Sequence, residues 1–82
     1  MAKTFHLTIA RVGENLFEGE AVSVRLPGAD GQFTVLANHE PYVAELVGGE
    51  VNVEAADGTK THFEIAERGV AEISNNQATV LL

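Results

Sequence analysis

Apolar and polar residues alternate along most of the chain. Phe5, Leu7 and Ile9 alternate with His6, Thr8 and Ala10. Val22, Val24 and Leu26 alternate with Ser23 and Arg25, and Val51, Val53 and Ala55 with Asn52 and Glu54. Phe63 and Ile65 alternate with His62, Glu64 and Ala66. A period of two puts one face of each segment in a core and the other in water, which predicts half-buried β-strands. β-branched residues and phenylalanine fill the inward slots, as a pleated, half-buried surface favours. Turn residues break the pattern at Gly13, Gly19, Pro27-Gly28, Asp30-Gly31, Gly48-Gly49, Asp57-Gly58 and Asn75-Asn76. Asp57-Gly58 predicts a hairpin with a two-residue type I′ turn, which needs positive φ at both positions, and Asn75-Asn76 offers the same chemistry more weakly. Tyr42 to Val47 reads as a strand rather than a helical turn, and Ala78, Val80 and Leu82 form a closing strand. Many short strands with turns at this spacing predict an all-β sandwich or barrel. No linker, internal repeat or long amphipathic helix interrupts the pattern, so residues 1–82 read as a single domain.

Size and charge narrow the classes. A chain of 82 residues with 45% hydrophobic residues supplies a real core. A domain this small buries only about 60% of the surface its unfolded form exposes, so its stability margin is thin. Without cysteine, disulfides and thiolate metal sites are excluded. The formal net charge is -7, and the basic residues Lys3, Arg11, Arg25, Lys60 and Arg68 are scattered. Nucleic-acid binding needs a basic footprint, and an anionic lipid surface repels such a chain. An acidic domain is steered instead toward basic surfaces on protein partners. No apolar run approaches the roughly 20 residues of a spanning helix, and Met1 to Phe5 do not form a signal-peptide segment.

The residues point away from catalysis. The stretch Pro27 to Gln32 is glycine-rich but holds no lysine, and no helix pattern follows it, so it reads as a turn and not as a phosphate cradle. Ser23 and Ser74 lie in or beside strands, without a nucleophile-elbow context. His6, His39 and His62 show no close ligand pair of the kind zinc needs. His6 and His62 belong to outward strand faces. Glu54, Glu64 and Glu72 read as solubilising charges on such faces. His39 lies in the irregular segment Ala37 to Pro41, and two readings stand side by side: a recognition loop on a rigid scaffold, or a turn whose side chains satisfy backbone groups. An acid–base pair from His39-Glu40 gains nothing from adjacency, because neighbours on an extended chain point apart. Tyr42, the only tyrosine, fits either an interface or half-buried packing. No catalytic, cofactor-binding or metal-binding residues are assigned.

From Leu26 to Leu36 the chain resembles the epsilon subunit of F-type ATP synthases, called delta in mitochondria. That family carries a PG-x-x-G-x-[FL]-x-[VIL] run followed by an NH-x-P or GH-x-P motif, here Asn38-His39-Glu40-Pro41. Phe5 to Ile9 resembles the family's opening strand, Leu16 to Ala21 its LF-x-G-x-[AV] motif, Arg68 to Ile73 its GG-[FIV]-x-E-V motif, and Asn75 to Leu82 its closing strand. The resemblance spans nearly the whole chain, and its motifs come in the family's order. Two departures fall at turns: Ala37-Asn38 stands where many members have Pro-Gly, and Arg68-Gly69 where they have a double glycine.

The resemblance implies a β-sandwich of two stacked, roughly five-stranded sheets. It implies a non-catalytic subunit of the central stalk, or rotor, of a proton- or sodium-driven ATP synthase, which couples ion translocation to ATP synthesis. The partners would be the gamma subunit and the c-ring, with attachment to the cytoplasmic face of a bacterial plasma membrane, or its organellar equivalent, through the complex. Gly28, Asp30, Gly31 and Gln32 correspond to the c-ring contact. Arg11, His39, Glu40, Tyr42 and Ala44 correspond to the gamma-subunit contact. Many members continue into a helical hairpin that can act as an inhibitory brake, and in some members binds ATP. This sequence ends at Leu82 without one, so neither ATP binding nor braking is expected. The alternative class is a free-standing β-sandwich module for protein or carbohydrate, which suits poorly a chain with no tryptophan and one tyrosine.

Overall fold

The structure is a computed structural model that describes residues 3–66 and 68–82. Eight strands follow in order: β1 (Phe5–Arg11), β2 (Glu14–Gly28), β3 (Gly31–Leu36), β4 (Tyr42–Leu46), β5 (Gly49–Ala55), β6 (Lys60–Ile65), β7 (Gly69–Ser74) and β8 (Gln77–Leu81). The key element is β2. Its 15 residues would span about 50 Å if straight, yet the longest extent of the molecule is 34 Å. It therefore bends and serves two layers. Its first part pairs with β1, from Arg11↔Glu14 to Phe5↔Ala21. Its second part lies between β3 and β5.

One layer thus runs from the first part of β2 through β1, β8, β7 to β4, and the other from β3 through the second part of β2 and β5 to β6. These layers are the two stacked sheets expected, with β2 contributing to both. All pairings are antiparallel except that of β1 with β8. The corner of β2 sits at Ala21, which pairs with both Phe5 and Ala55. A bulge follows, because the register with β5 skips from Ala21 to Ser23. An extra residue in one strand bends it and sharpens its twist. The bulge also corrects one inward assignment: Ala21 is fully buried, whereas Val22 is only half-buried and Val24 resumes the core.

The core otherwise follows the alternation. Phe5, Leu7, Ile9, Val24, Leu26, Val51, Val53, Ile65, Ala78 and Val80 are buried between the layers, joined by Val35, Leu46, Ala71 and Ile73. Among the described residues no polar or charged side chain is buried. The hairpin turns invert the expected ranking. Asn75 and Asn76 both have positive φ, 51° and 60°, and join the pair Ser74↔Gln77, as a two-residue type I′ turn requires. At the other hairpin only Gly58 is positive, at 89°. The Ala55 carbonyl accepts from the Gly58 N–H at 2.9 Å, and the Ala55 N–H donates to Thr59 O at 2.8 Å. That is a three-residue loop, with Gly58 in the left-handed position after a turn through Ala56 and Asp57.

Candidate functional site

The edges of the two layers meet at β3 and β4. Phe33 and Val35 of β3 and Tyr42, Ala44 and Leu46 of β4 alternate toward this seam. One end is closed by backbone: Gly28 pairs with Leu46, Ala29 N–H donates to Glu45 O at 2.8 Å, and Val47 N–H donates to Pro27 O at 2.9 Å. The turn leaves no room for a side chain at Gly28, where a Cβ would meet Gly31 O at 2.7 Å and the Phe33 ring at 3.0 Å. Toward the other end, the Phe33 and Tyr42 rings pack edge to face, with centroids 5.4 Å apart and planes at 85°. Such pairs add about 0.5–1.5 kcal/mol beyond the area they bury. Between these closures lies a shallow cleft of about 310 Å³, with Gly28 to Phe33 on one wall and Tyr42 to Glu45 on the other.

The segment after β3 turns sharply. His39 N–H donates to Leu36 O at 3.2 Å, and Asn38 has φ of 62°. Positive φ at the third residue is the mark of a type II turn. Ala37-Asn38 therefore supports the turn that Pro-Gly favours, because asparagine tolerates this region better than other residues with a Cβ. His39 Nδ1 lies 2.7 Å from Glu40 O, and its ring stands 6.3 Å from that of Tyr42. The second departure is also accommodated. A Cβ at Gly69 would meet Leu81 O at 2.5 Å, so glycine is demanded there. Arg68 is exposed and reaches Glu45 Oε2 at 3.5 Å.

The candidate residues divide unevenly. Gly28, Asp30, Gly31 and Gln32 come together with Tyr42 and Ala44 in the cleft. Asp30, Gly31, Gln32 and Glu40 are exposed, and Tyr42 is 42% exposed. Gly28 is buried, and Ala44, at 7% exposure, turns its methyl into the core, so each offers a partner little beyond backbone. Arg11 stands apart. It lies at the end of β1 beyond the row Ala10–Leu81–Val70–Glu45, whereas Tyr42 shares the row of Ile73, Ala78 and Leu7. Four residues along and three strands across place Arg11 and Tyr42 about 20 Å apart.

Sequence reasoning passed over an apolar row on the outward face of the first layer. Val70 pairs with Leu81, Leu81 is followed across the sheet by Ala10, and Val43 lies diagonally from Val70. Val43, Val70 and Leu81 are 65%, 40% and 52% exposed. The signal was an apolar residue in an outward slot of an alternating strand. Glu18, Glu45 and Glu72 flank the row on the same face. Elsewhere on that face His6 lies 3.4 Å from Glu18 and 3.2 Å from Glu20. Among the described residues no group of three or more His, Asp or Glu is arranged to hold a metal ion, and no helix is long and apolar enough to cross a membrane.

Comparison with known proteins adds the family. The profile of the ATP synthase delta/epsilon chain β-sandwich domain matches residues 4–82. The ATP synthase epsilon chain of Paracoccus denitrificans is 40% identical over 99% of this chain and 54% of its own length. That of Caulobacter vibrioides is 38% identical over 99% of this chain and 91% of its own. The chain thus spans about half the length of several curated relatives it matches, and most of some others. Among solved structures, a chain of the Euglena gracilis mitochondrial ATP synthase (OSCP/F1/c-ring) superposes with a TM-score of 0.86 at 25% identity, covering 95% of this chain and 49% of that one.

Proposed function

The chain belongs to the ATP synthase delta/epsilon β-sandwich family, and from that premise we propose that it is a non-catalytic subunit of the central stalk of an F-type ATP synthase. In this reading it binds the gamma subunit, rests on the c-ring, and passes torque from proton or sodium flow to the catalytic head. It would be held at the cytoplasmic face of a bacterial plasma membrane, or the organellar equivalent, through those partners. A closely packed sandwich suits the task, because interiors of this density deform little under load.

The observation that carries the reading is the cleft between β3 and β4. The segment that resemblance assigns to the ring, Gly28 to Gln32, forms one wall, and Tyr42, assigned to gamma, belongs to the other. A single exposed edge of the molecule thus holds most of both candidate contacts. The apolar row of Val43, Val70 and Leu81 runs from β4 toward Arg11 and supplies the apolar centre that a stable interface with gamma needs. Glu18 and Glu72 beside it favour a basic rim on gamma, whereas Glu45 is engaged by Arg68 at 3.5 Å.

Titration of the chain with purified gamma subunit from the same source, by calorimetry or gel filtration, tests this. A one-to-one complex that tightens at low salt is expected. No association at tens of micromolar would overturn the stalk role and leave the family and fold standing.

A further inference from the structure

Asn76 occupies the second position of the β7–β8 turn, yet its side chain serves other parts of the molecule. Its Oδ1 accepts from the backbone N–H of Asn38 at 2.7 Å, and its Nδ2 donates to Thr4 O at 2.9 Å. Its backbone carbonyl accepts from the His6 N–H at 3.2 Å. One residue thus joins the turn that carries His39, the strand entering at Phe5, and the β7–β8 hairpin. The chemistry is specific. A carboxamide offers a donor and an acceptor on one short stem. Aspartate lacks the donor, glutamine is one methylene too long, and a hydroxyl has a single oxygen for both tasks. The positive φ of Asn76, 60°, aims the stem, and asparagine tolerates that conformation.

The turn at Asn38 has one backbone bond within itself, His39 N–H to Leu36 O. The Asn38–Asn76 bond ties it to the far hairpin. We propose that Asn76 is a positioning residue for the recognition surface of His39 and Tyr42: it fixes the β3–β4 turn against the body of the sandwich, so that partner binding does not have to order it. Ordering a loop on binding costs affinity, and prior fixing removes that cost. The positional part stands on the chain alone, and the consequence for affinity rests on the gamma-binding reading.

Two variants separate the roles. Asn76→Gly keeps the left-handed turn and removes both side-chain bonds. Asn76→Asp keeps an acceptor for Asn38 but replaces the donor to Thr4 O, 2.9 Å away, with a carboxylate oxygen, so that two acceptors face each other there. Hydrogen exchange at the Asn38 amide is the direct readout, with β5–β6 amides as the control for an intact fold. Asn76→Gly should speed exchange at Asn38 about fivefold and weaken gamma binding by a similar factor, as loss of one solvent-exposed hydrogen bond does. Asn76→Asp should fall between the wild type and Asn76→Gly on both counts, since the acceptor for Asn38 remains while the carboxylate is repelled by the Thr4 carbonyl. In a His39→Ala background Asn76→Gly should weaken binding less than it does in the wild type. Unchanged exchange at Asn38 in Asn76→Gly overturns the inference, and so does gamma binding by Asn76→Gly equal to that of the wild type. If the wild-type chain does not bind gamma at all, the stalk reading fails while the exchange measurement still decides the role of Asn76.

Discussion

On the outward face of the first layer, Val70 and Leu81 stand side by side with Ala10 beyond them. On the outward face of the second, the corresponding row is Thr34, Arg25, Asn52 and His62. That second face is a polar hollow of about 400 Å³, lined also by Ser23, Glu50, Glu54 and Lys60, in which His62 lies 3.3 Å from Glu50. Both faces come from the same alternation and enclose the same core. The difference shows where an alternating pattern carries information beyond fold. A polar outward slot is the default of a half-solvated sheet, whereas apolar residues in adjacent outward slots form a patch that water alone does not explain. Charge does not separate the faces: Glu18, Glu45 and Glu72 flank the apolar row, where Arg68 lies 3.5 Å from Glu45, and the second face mixes Arg25 and Lys60 with Glu50 and Glu54.

The largest test strikes the backbone beneath the apolar row. Gly69 lies against β8, where a Cβ would sit 2.5 Å from Leu81 O and 2.7 Å from the Leu82 side chain. Gly69→Val must part β7 from β8 next to the Val70–Leu81 pair. Overpacking of this kind costs about 2–3 kcal/mol, and in a domain this small that lowers Tm by on the order of 10–20 °C. The matched change in the second layer is Gly58→Ala. Nothing lies within 4 Å of a Cβ there, and only its φ of 89° resists substitution, so the cost should be about 1 kcal/mol. Urea or thermal unfolding of both variants measures the contrast, and equal losses would show that the close strand contact at Gly69 gives way more easily than the geometry implies.

The next test reads the faces directly. Val70→Lys with Leu81→Lys puts two charges into the apolar row without touching the core. Gamma binding should weaken about 100-fold, the order expected when the centre of an interface is disrupted. Lys60→Glu with His62→Ala alters the second face as severely in charge and should change binding by less than about threefold. Calorimetric titrations of both pairs decide it. A larger loss from the second pair would move the gamma contact to the polar hollow.

Much of this architecture was legible in the sequence because alternation acts locally. A residue two places from a buried Leu7 or Val51 is buried for the same geometric reason, and the strands followed. Where the expectation slipped, the cause was non-local or a matter of backbone detail. The bulge at Val22 arises because β2 must turn a corner between layers, a demand set by β1 and β5 together. Asp57-Gly58 carries the stronger dipeptide signal for a two-residue turn, yet the pairing Glu54↔Lys60 fixes the loop length and gives the left-handed position to Gly58 alone. The candidate contacts were legible as motifs but not as a surface. Gly28 to Gln32 and Tyr42 meet because the layer edges meet, and Arg11 falls away because it ends a different strand. Asn76 was visible only as half of a turn, since its bonds reach residues 38 and 72 positions away.

The smallest test distinguishes one hairpin of each layer. In the second layer, the Asp57 carboxylate accepts from the Thr59 N–H at 2.9 Å. That backbone hydrogen bond, with help from the Thr59 side chain, holds the Asp57 pKa below its ordinary value of 3.8. A carboxyl whose pKa is depressed by folding stabilises the folded state above its unfolded pKa, and that contribution is lost as pH falls through the folded value. The β5–β6 hairpin should therefore loosen on acidification below about pH 3.8. The Asn75-Asn76 turn of the first layer contains no titrating group and should not respond in that window. Asp57→Asn keeps an acceptor for Thr59 but not its charge. It should be slightly less stable than the wild type at neutral pH, and the two should converge as the wild-type carboxyl takes up its proton. Because Asp57 is exposed, solvent keeps the effect small. Thermal unfolding from pH 7 to pH 2.5, with amide exchange followed at Thr59 and Gln77, measures it. Equal acid loosening of both hairpins would trace the response to the net charge of the domain rather than to the Asp57–Thr59 bond.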